Sequence, residues 1–471
     1  MRPSFDLAIL GGGSAGYAAA RTAAGLGMRV AVVEGGKRVG GLCILRGCMP
    51  TKTMLESAHR NHEIGRAKDF GIRVGKPQPD WKAILKRKDR LIAEFADYRR
   101  DQLEKGKFTF YRANGRFTGL HRLALEGMEK EGVPAEIEAK TFLVSTGSRT
   151  AFRKIPGLEE TGYWTSDECL KDSKPVKSLI VLGGRAVALE FAQYYAHLGV
   201  KVTVIQRSER LLPESDPEVG DTLAKVFREQ GSEVFCGTQI QRVMKKGKKK
   251  RVEFLQNGKR RSVAAEQILQ ALGREPDLEG LNLSTAGVKT EKGKVVTQLT
   301  QQTSVPHIFA AGDVCGPYEV VHLAIQQGEV AAKNAAAFAA GKELKERMDY
   351  RLKLEVIFTS PEAAGVGYSE KECREKGWDI VTASYPFADH GKSMVMGEVN
   401  GFVKLIAFKE RGEIVGAQVV GPHASDLIHE PLAIMRYRGT ASEMAAMPHY
   451  HPTLSEIWTY PAEEIADLCL A

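Results

Sequence analysis

No apolar run in the 471-residue chain reaches the roughly 18 residues that a helical membrane span requires, so no membrane insertion is expected. The opening residues, MRPSFDLAILGGG, carry an acid at Asp6 and pass almost at once from an apolar run into a glycine loop. No cleaved leader is expected, and the reading is cytoplasmic. Cysteine is sparse and odd in number, seven in all, which argues against a secreted disulfide framework and for a reducing compartment. No second Cys/His cluster of metal-ligand spacing accompanies the cysteines, so no metal site is expected. Aromatic residues are missing from the most basic stretch, KKGKKKR from Lys245 to Arg251, with Lys259, Arg260 and Arg261 close behind. Without rings to stack on bases, that stretch reads as a solvated β-hairpin with a charged turn, not as a nucleic-acid site. The formal net charge of +9 still favours anionic substrates or cofactors. The apolar fraction of 43% allows a substantial core, and the length suggests about three domains.

What the chain does contain begins at its start. An apolar run from Asp6 to Leu10 leads into Gly11-Gly12-Gly13-Ser14-Ala15-Gly16, which fits GxGxxG. A small-residue helix is expected to end near Gly27, followed by a strand from Met28 to Val33 that stops at Glu34. Each part has a role in holding a dinucleotide. Gly11 makes the tight turn, Gly13 lets the backbone approach a pyrophosphate, and Gly16 lets helix and strand pack closely. The helix N-terminus, at Ser14 and Ala15, offers N–H groups and a positive dipole end to phosphate. Glu34 can accept from ribose hydroxyls.

The pattern recurs with the same spacing. Ser178 to Leu182 is a second apolar strand, then Gly183-Gly184-Arg185-Ala186-Val187-Ala188, a helix ending near Gly199, and a strand from Lys201 to Ile205. Gly11 to Gly27 and Gly183 to Gly199 both span 16 positions, and Gly11 to Glu34 and Gly183 to Gln206 both span 23. Two dinucleotide units in one chain suggest hydride transfer between two bound cofactors. Arg185 replaces the middle glycine, so pyrophosphate must sit differently there or meet an added charge. Gln206 stands where an acid would favour NADH, and Arg207 and Arg210 follow. A missing carboxylate and nearby guanidinium groups favour a 2′-phosphate, hence NADPH over NADH.

Between the first unit and the next helix lies GGLCILRGCMPTK. Cys43 and Cys48 are five residues apart, which on a regular helix places them about 140° apart. A disulfide needs Cβ atoms about 3.8 Å apart. The pair therefore needs a distorted turn, which Gly47 permits, and Pro50 suits the start of a following helix. A thiol at that helix start, with Lys52 near, is expected to ionise easily. Two buried structural cysteines or half of a metal site are the other readings of the pair alone.

Gly40-Gly41-Leu42-Cys43, Gly47-Cys48 and Pro50-Thr51-Lys52 resemble the active-site signature of the class I pyridine nucleotide-disulfide oxidoreductases. That family includes dihydrolipoamide dehydrogenase, glutathione reductase and mercuric reductase. The resemblance extends along the chain. Ser145-Thr146-Gly147 resembles the turn that closes the family's first FAD segment, and Gly273-Arg274 resembles the motif that ends its NAD domain. Ala310 to Val314 resembles its second FAD motif, where Asp313 would bind the ribityl or pyrophosphate region. Phe358-Thr359 with Pro361-Glu362 looks like the opening of its dimerisation domain. The resemblance implies an α/β fold with two Rossmann-like dinucleotide-binding domains, for FAD and NAD(P), plus a C-terminal α+β dimerisation domain. The boundaries would be 1–155 and 275–345 for FAD, 156–274 for NAD(P) and 346–471 for the interface. It also implies a relay in which NAD(P)H reduces the flavin and the flavin opens a Cys43–Cys48 disulfide. Cys48 would face the flavin, Cys43 would exchange with substrate, Lys52 would lie near flavin N5, and Glu190 would pair with Lys52. Gly41, Thr146, Gly147, Gly184 and Gly273 would belong to the cofactor sites.

Near the end stands His449-Tyr450-His451-Pro452-Thr453-Leu454-Ser455-Glu456. Thiol–disulfide exchange needs a group that takes and returns a proton in the neutral range, and a carboxylate that orients it. Alone, a His-Glu pair five apart is more often structural. The string resembles the family's HxHPTxSE motif, in which His451 is the base and Glu456 its partner, acting on the cysteines of a second subunit. The resemblance thus implies a homodimer. His449 looks like dihydrolipoamide dehydrogenases, while Gln206 to Arg210 and Val187 to Glu190 look more like mercuric reductases. The tail carries one cysteine, Cys469, where mercuric reductases carry a vicinal pair, and reads as an incidental surface cysteine. Ala186 sits where glutathione reductases have a tyrosine. The reading is a dihydrolipoamide-dehydrogenase-like enzyme with a small disulfide or dithiol substrate such as a lipoyl group. Its rivals are a metal-ion reductase, a low-molecular-weight disulfide reductase, and a non-enzymatic flavoprotein that binds through the basic hairpin.

Overall fold

The computed structural model describes residues 2–127, 132–172 and 174–470. The chain forms two compact units, each assembled from three segments. The first comprises Met1–Thr51, Lys86–Phe152 and Gly273–Asp349, and the second Lys52–Leu85, Arg153–Leu272 and Tyr350–Ala471.

The first unit is built on a sheet whose parallel strands run in the order Thr109–Tyr111, Val30–Val33, Ser4–Leu10, Glu136–Val144, Ile308–Ala310. The strands Ser4–Leu10 and Val30–Val33 are buried on both faces over most of their length, which explains their continuous apolar runs. The helix Ser14–Gly25 packs against Val321–Ala339 through alanine and glycine. A Cβ at Gly328 would lie 2.3 Å from the Ala15 carbonyl, so only glycine allows that approach.

The second unit carries a four-stranded parallel sheet in the order Glu233–Phe235, Lys201–Ile205, Ser178–Leu182, Gln267–Gln270. Beside it is an antiparallel sheet of Thr238–Lys246, Lys249–Gln256 and Lys259–Ala265. The basic stretch is the hairpin between the first two of these strands, with Gly247 at the turn. The rest of the unit includes a five-stranded antiparallel sheet in the order Leu354–Ile357, Glu362–Gly367, Ile414–Gly421, Phe402–Phe408, Ile380–Pro386. Helices His429–Arg436 and Thr459–Leu470 accompany it, and its core holds Phe387, Leu405, Val419 and Trp458. Lys404, 2% exposed, is held there by Asp216, Glu218 and Glu370 at 3.0–3.2 Å. This is an α/β architecture with an α+β C-terminal portion. Among the described residues no helix is long and apolar enough to cross a membrane.

Candidate active site

The two glycine loops are built alike. Gly11 and Gly183 have φ of +101° and +124°, and a Cβ on either would clash with the backbone just past a neighbouring strand: 2.5 Å from Ser145 O and 2.4 Å from Ala271 O. The loops differ where their sequences differ. A Cβ at Gly16 would fall 1.9 Å from Gly11 O, whereas the second loop accommodates the Ala188 methyl 3.4 Å from the Cβ position of Gly183. Gly13 and Arg185 are both the N-cap of the following helix, and Arg185 has an ordinary extended φ of −106°. The second loop thus needs no glycine at this position. The Arg185 guanidinium is ion-paired with Glu214 on the exposed side.

Glu34 accepts N–H bonds from Gly12 at 2.8 Å and Gly36 at 2.6 Å, which places its carboxylate at the mouth of the first loop. Gln206, 7% exposed, packs against Gly184, but its amide accepts from Arg207 N–H at 3.1 Å instead of from the glycine loop. Arg207 beyond it is exposed, whereas Arg210 is held by Asp221 at 3.0 Å. The space beside Gly13, free of any atom closer than 3.9 Å to a built Cβ, suits a phosphate group. Both loops, with helix N-termini behind them, fit dinucleotides.

The other first-unit motifs are tied together through Ser145 and Ser148. Ser145 Oγ donates to the carbonyls of Leu10 and Gly11, locking the Ser145–Gly147 turn under the glycine loop. Thr146 Oγ1 donates to Asp277 O, and Asp277 N–H to Gly147 O. Ser148 Oγ donates to Asp313 Oδ2 at 2.6 Å and accepts from Arg274 Nε at 2.8 Å. Gly273 O accepts from Ala151 N–H. Ser148 was not singled out in the sequence; its only signal is that it directly follows the Ser145–Gly147 turn.

Cys43 lies in the short helix Gly41–Arg46, and Cys48 opens the helix Cys48–Arg66. Gly47, with φ −125° and ψ −115°, breaks the path between them as the spacing demands. Gly41 is packed directly on Gly13: a Cβ there would lie 2.8 Å from Gly13 Cα. The cysteine segment is therefore fixed on the first glycine loop. Both thiols are half-buried.

In the second unit Lys52 Nζ lies 2.8 and 2.7 Å from the two oxygens of Glu190, whose side chain is 4% exposed. The same carboxylate accepts Phe358 N–H at 3.1 Å, and Lys52 Nζ stands 4.7 Å over the Phe358 ring. Near the chain end, His451 Nδ1 donates to Glu456 Oε2 at 3.0 Å. Glu456 sits in the 3₁₀ turn Ser455–Trp458, anchored by the fully buried Ile457 and Trp458. His451 itself is 80% exposed. His449 is held apart from this pair, bonded to Glu430 at 2.7 Å and to Met447 O at 3.0 Å. Burial pushes the Glu430 carboxyl up, against the pull of His449. Sequence reasoning missed His390, whose ring faces the other oxygen of Glu456 at 3.4 Å. Cys469 is half-buried, its Sγ 3.9 Å from Phe408 O, and packs on the adjoining core.

Residues 5–328 match the family model described as pyridine nucleotide-disulphide oxidoreductase, and 354–462 match that family's dimerisation domain. The chain belongs to the pyridine nucleotide-disulphide oxidoreductase family. It is 32% identical over 467 residues to a dihydrolipoyl dehydrogenase of Bacillus subtilis (strain 168), covering 97% of both chains. It is 33% identical over 442 residues to a mercuric reductase of Staphylococcus aureus, covering 93% of this chain and 78% of that one. Among solved structures, the HOCl-induced flavoprotein disulfide reductase RclA from Escherichia coli matches with a TM-score of 0.83 at 24% identity, covering 97% of this chain and 99% of that one. That likeness shows the fold. The protein is thus an enzyme of the FAD- and NAD(P)H-dependent disulfide oxidoreductases.

Proposed function

We propose that the chain is a dihydrolipoamide-dehydrogenase-like NAD(P)H:disulfide oxidoreductase acting on a small disulfide or dithiol, such as a lipoyl group. The observation that carries the reading is the exposed His451 oriented by the anchored Glu456 at 3.0 Å, a proton acceptor and donor for thiol exchange. Residues 1–155 and 275–345 hold FAD, 156–274 hold NAD(P), and 346–471 form the subunit interface. Gly11, Gly13, Ser14, Ala15, Gly16, Glu34, Gly41, Lys52 with its partner Glu190, Thr146, Gly147 and Asp313 would hold FAD; Gly183, Gly184, Arg185, Gln206, Arg207 and Gly273 would serve the nicotinamide nucleotide. Bound FAD supplies the two-electron chemistry that links NAD(P)H to the cysteine pair. Cys48 would be the thiol on the flavin side of the pair, Cys43 would attack the substrate disulfide, and Lys52, oriented by Glu190, would offer positive charge to the cofactor. His451 takes the proton of the attacking thiol and returns it to the departing one. Its exposure suits reaching the cysteines of a second copy, hence a homodimer. Uncharged Gln206 and exposed Arg207 favour NADPH.

A metal-ion reductase is the second reading, favoured by the mercuric reductases among the relatives. The packed position of Cys469 weighs against a shuttling tail thiol. The test is steady-state turnover of the FAD-loaded protein with NADH and NADPH against lipoamide, glutathione disulfide and mercuric ion, with Cys43→Ser as control. Lipoamide turnover lost in the variant supports the reading. Turnover of mercuric ion alone selects the second, and no thiol-dependent turnover overturns both.

A further inference from the structure

The carboxylate of Glu456 is shared. While Oε2 accepts from His451, Oε1 lies 3.4 Å from Nε2 of His390, a ring that is fully buried. The opposite ring nitrogen, Nδ1, is 2.8 Å from Ser393 Oγ, also fully buried. A serine hydroxyl donating to Nδ1 leaves the proton on Nε2, aimed at Glu456. Nε2 is shielded from solvent and makes no well-aligned hydrogen bond among the described residues; Glu456 Oε1, at 3.4 Å, is the acceptor beside it. The His390 ring is wedged edge-on between Phe387 and Tyr460, each 6.4 Å away, and Tyr460 is stacked on Tyr385 at 4.0 Å.

We propose that His390 is a positioning residue for the acid–base pair, donating through Nε2 to the far oxygen of Glu456 and so keeping the near oxygen on His451. The proposal rests on the acid–base reading of His451 given above. An imidazole that is 80% exposed on one side of the carboxylate cannot fix that carboxylate. A buried ring, itself tied down by Ser393, can. His390 does this as a neutral donor. Burial holds its basicity below the ordinary histidine range, opposed by the Glu456 carboxylate and aided by His451. The titratable groups facing it are Glu456, His451 and Tyr460, with Tyr385 and Asp389 behind. A charged His390 would compete with the His451 imidazolium for Glu456; a neutral one orients the carboxylate and leaves its charge available. Contacts of this kind are often long in the resting enzyme and shorten when the proton moves.

The experiment compares FAD-loaded wild type with His390→Leu, His390→Asn and Ser393→Ala. Each is assayed across pH for reduction of lipoamide or glutathione disulfide, whichever the wild type turns over faster, and for reduction of ferricyanide, which needs no thiol exchange. The expected result is a roughly tenfold loss of disulfide turnover in His390→Leu, exceeding any loss with ferricyanide. Its pH profile should move to lower pH, since a poorly aimed carboxylate stabilises the imidazolium less. Ser393→Ala should show a smaller shift in the same direction, and His390→Asn, which keeps an N–H donor, should recover part of the loss. Unchanged disulfide turnover and pH profile in His390→Leu and Ser393→Ala overturn the proposal. So does an equal loss in both assays, the mark of a merely structural role. If His390→Leu does not fold, Ser393→Ala and His390→Asn decide by the same criteria. His451→Ala separates the two levels: full disulfide turnover in that variant overturns the acid–base reading, whereas loss there with unchanged His390 variants overturns the positioning role alone.

Discussion

Lys52 Nζ bridges both oxygens of Glu190, at 2.8 and 2.7 Å, and Glu190 also accepts the Phe358 N–H. A carboxylate only 4% exposed is thereby given one cation and one backbone donor, and the lysine is placed beside an aromatic face. Breaking such a pair leaves a desolvated charge with no counter-charge. The helix bearing Glu190 and the segment at Phe358 are therefore fastened together by the group that also orients Lys52.

Glu190→Ala is expected to destabilise the protein by about 2–3 kcal/mol, below the full effect for a buried pair because Lys52 keeps some solvent. Glu190→Gln should cost less, since its amide oxygen still accepts from Phe358. Urea unfolding of the three proteins checks the order; equal midpoints would show the pair to be energetically idle.

Cys43→Ser and Cys48→Ser are each expected to lower disulfide turnover by about a thousandfold or more, as removal of a nucleophile does. Ferricyanide reduction by NAD(P)H should persist in both, because electrons then leave before reaching the cysteines. Loss of both activities together would place the cysteines in folding or cofactor retention instead.

His451→Gln should lose about 10²–10⁴-fold in disulfide turnover, and Glu456→Gln less, because the first removes the base and the second only its orienting charge. Stopped-flow measurement of the reductive half-reaction with NAD(P)H should show little change in either. A slowed reductive half-reaction would contradict the assignment to thiol exchange.

Much of this was readable in the sequence, for definable reasons. The strands Ser178–Leu182 and Lys201–Ile205 match their expected limits because both are buried parallel strands with unbroken apolar runs. The first βαβ unit was less sharp. Met28, expected in the strand, instead closes the helix through its N–H to Ala23 O, and the strand starts at Val30. The break at Gly47 followed from the spacing of Cys43 and Cys48, since no regular helix suits that pair. Ser148, His390 and Ser393 were not readable, because their roles exist only once distant segments meet: Ser148 between Arg274 and Asp313, and His390 against Glu456, 66 positions away in the chain. Arg210, grouped with Arg207 by sequence, is taken up by Asp221 on the next helix, a pairing no local pattern announces.

On the proposed preference for NADPH, exposed Arg207 would meet the 2′-phosphate. Arg207→Ala should raise the KM for NADPH about tenfold or more, the loss expected for a hydrogen bond to a charged group. It should leave the KM for NADH nearly unchanged. Parallel titrations of the two nucleotides measure the ratio, and an equal effect on both would remove the case for NADPH.

The second unit also carries a pH liability away from the proposed chemistry. His197, 8% exposed, stacks on His62 at 4.1 Å with His59 6.5 Å away, and its Nε2 has no hydrogen-bond partner among the described residues. Burial first, and then the neighbouring His62, push its pKa down to about 3. Above the unfolded-state value near 6.5, neither state carries the proton and stability is complete. As the pH falls below that value, the unfolded chain binds a proton that the folded chain refuses. Stability then declines by up to about 1.4 kcal/mol per pH unit until the folded pKa is reached. His62 is also held down by burial and adds to the decline in the same direction. His197→Gln should therefore unfold at lower urea than wild type at pH 7.5 but lose less of its midpoint on going to pH 5. Parallel losses in the two proteins would mean that the His197 ring takes up its proton in the folded state.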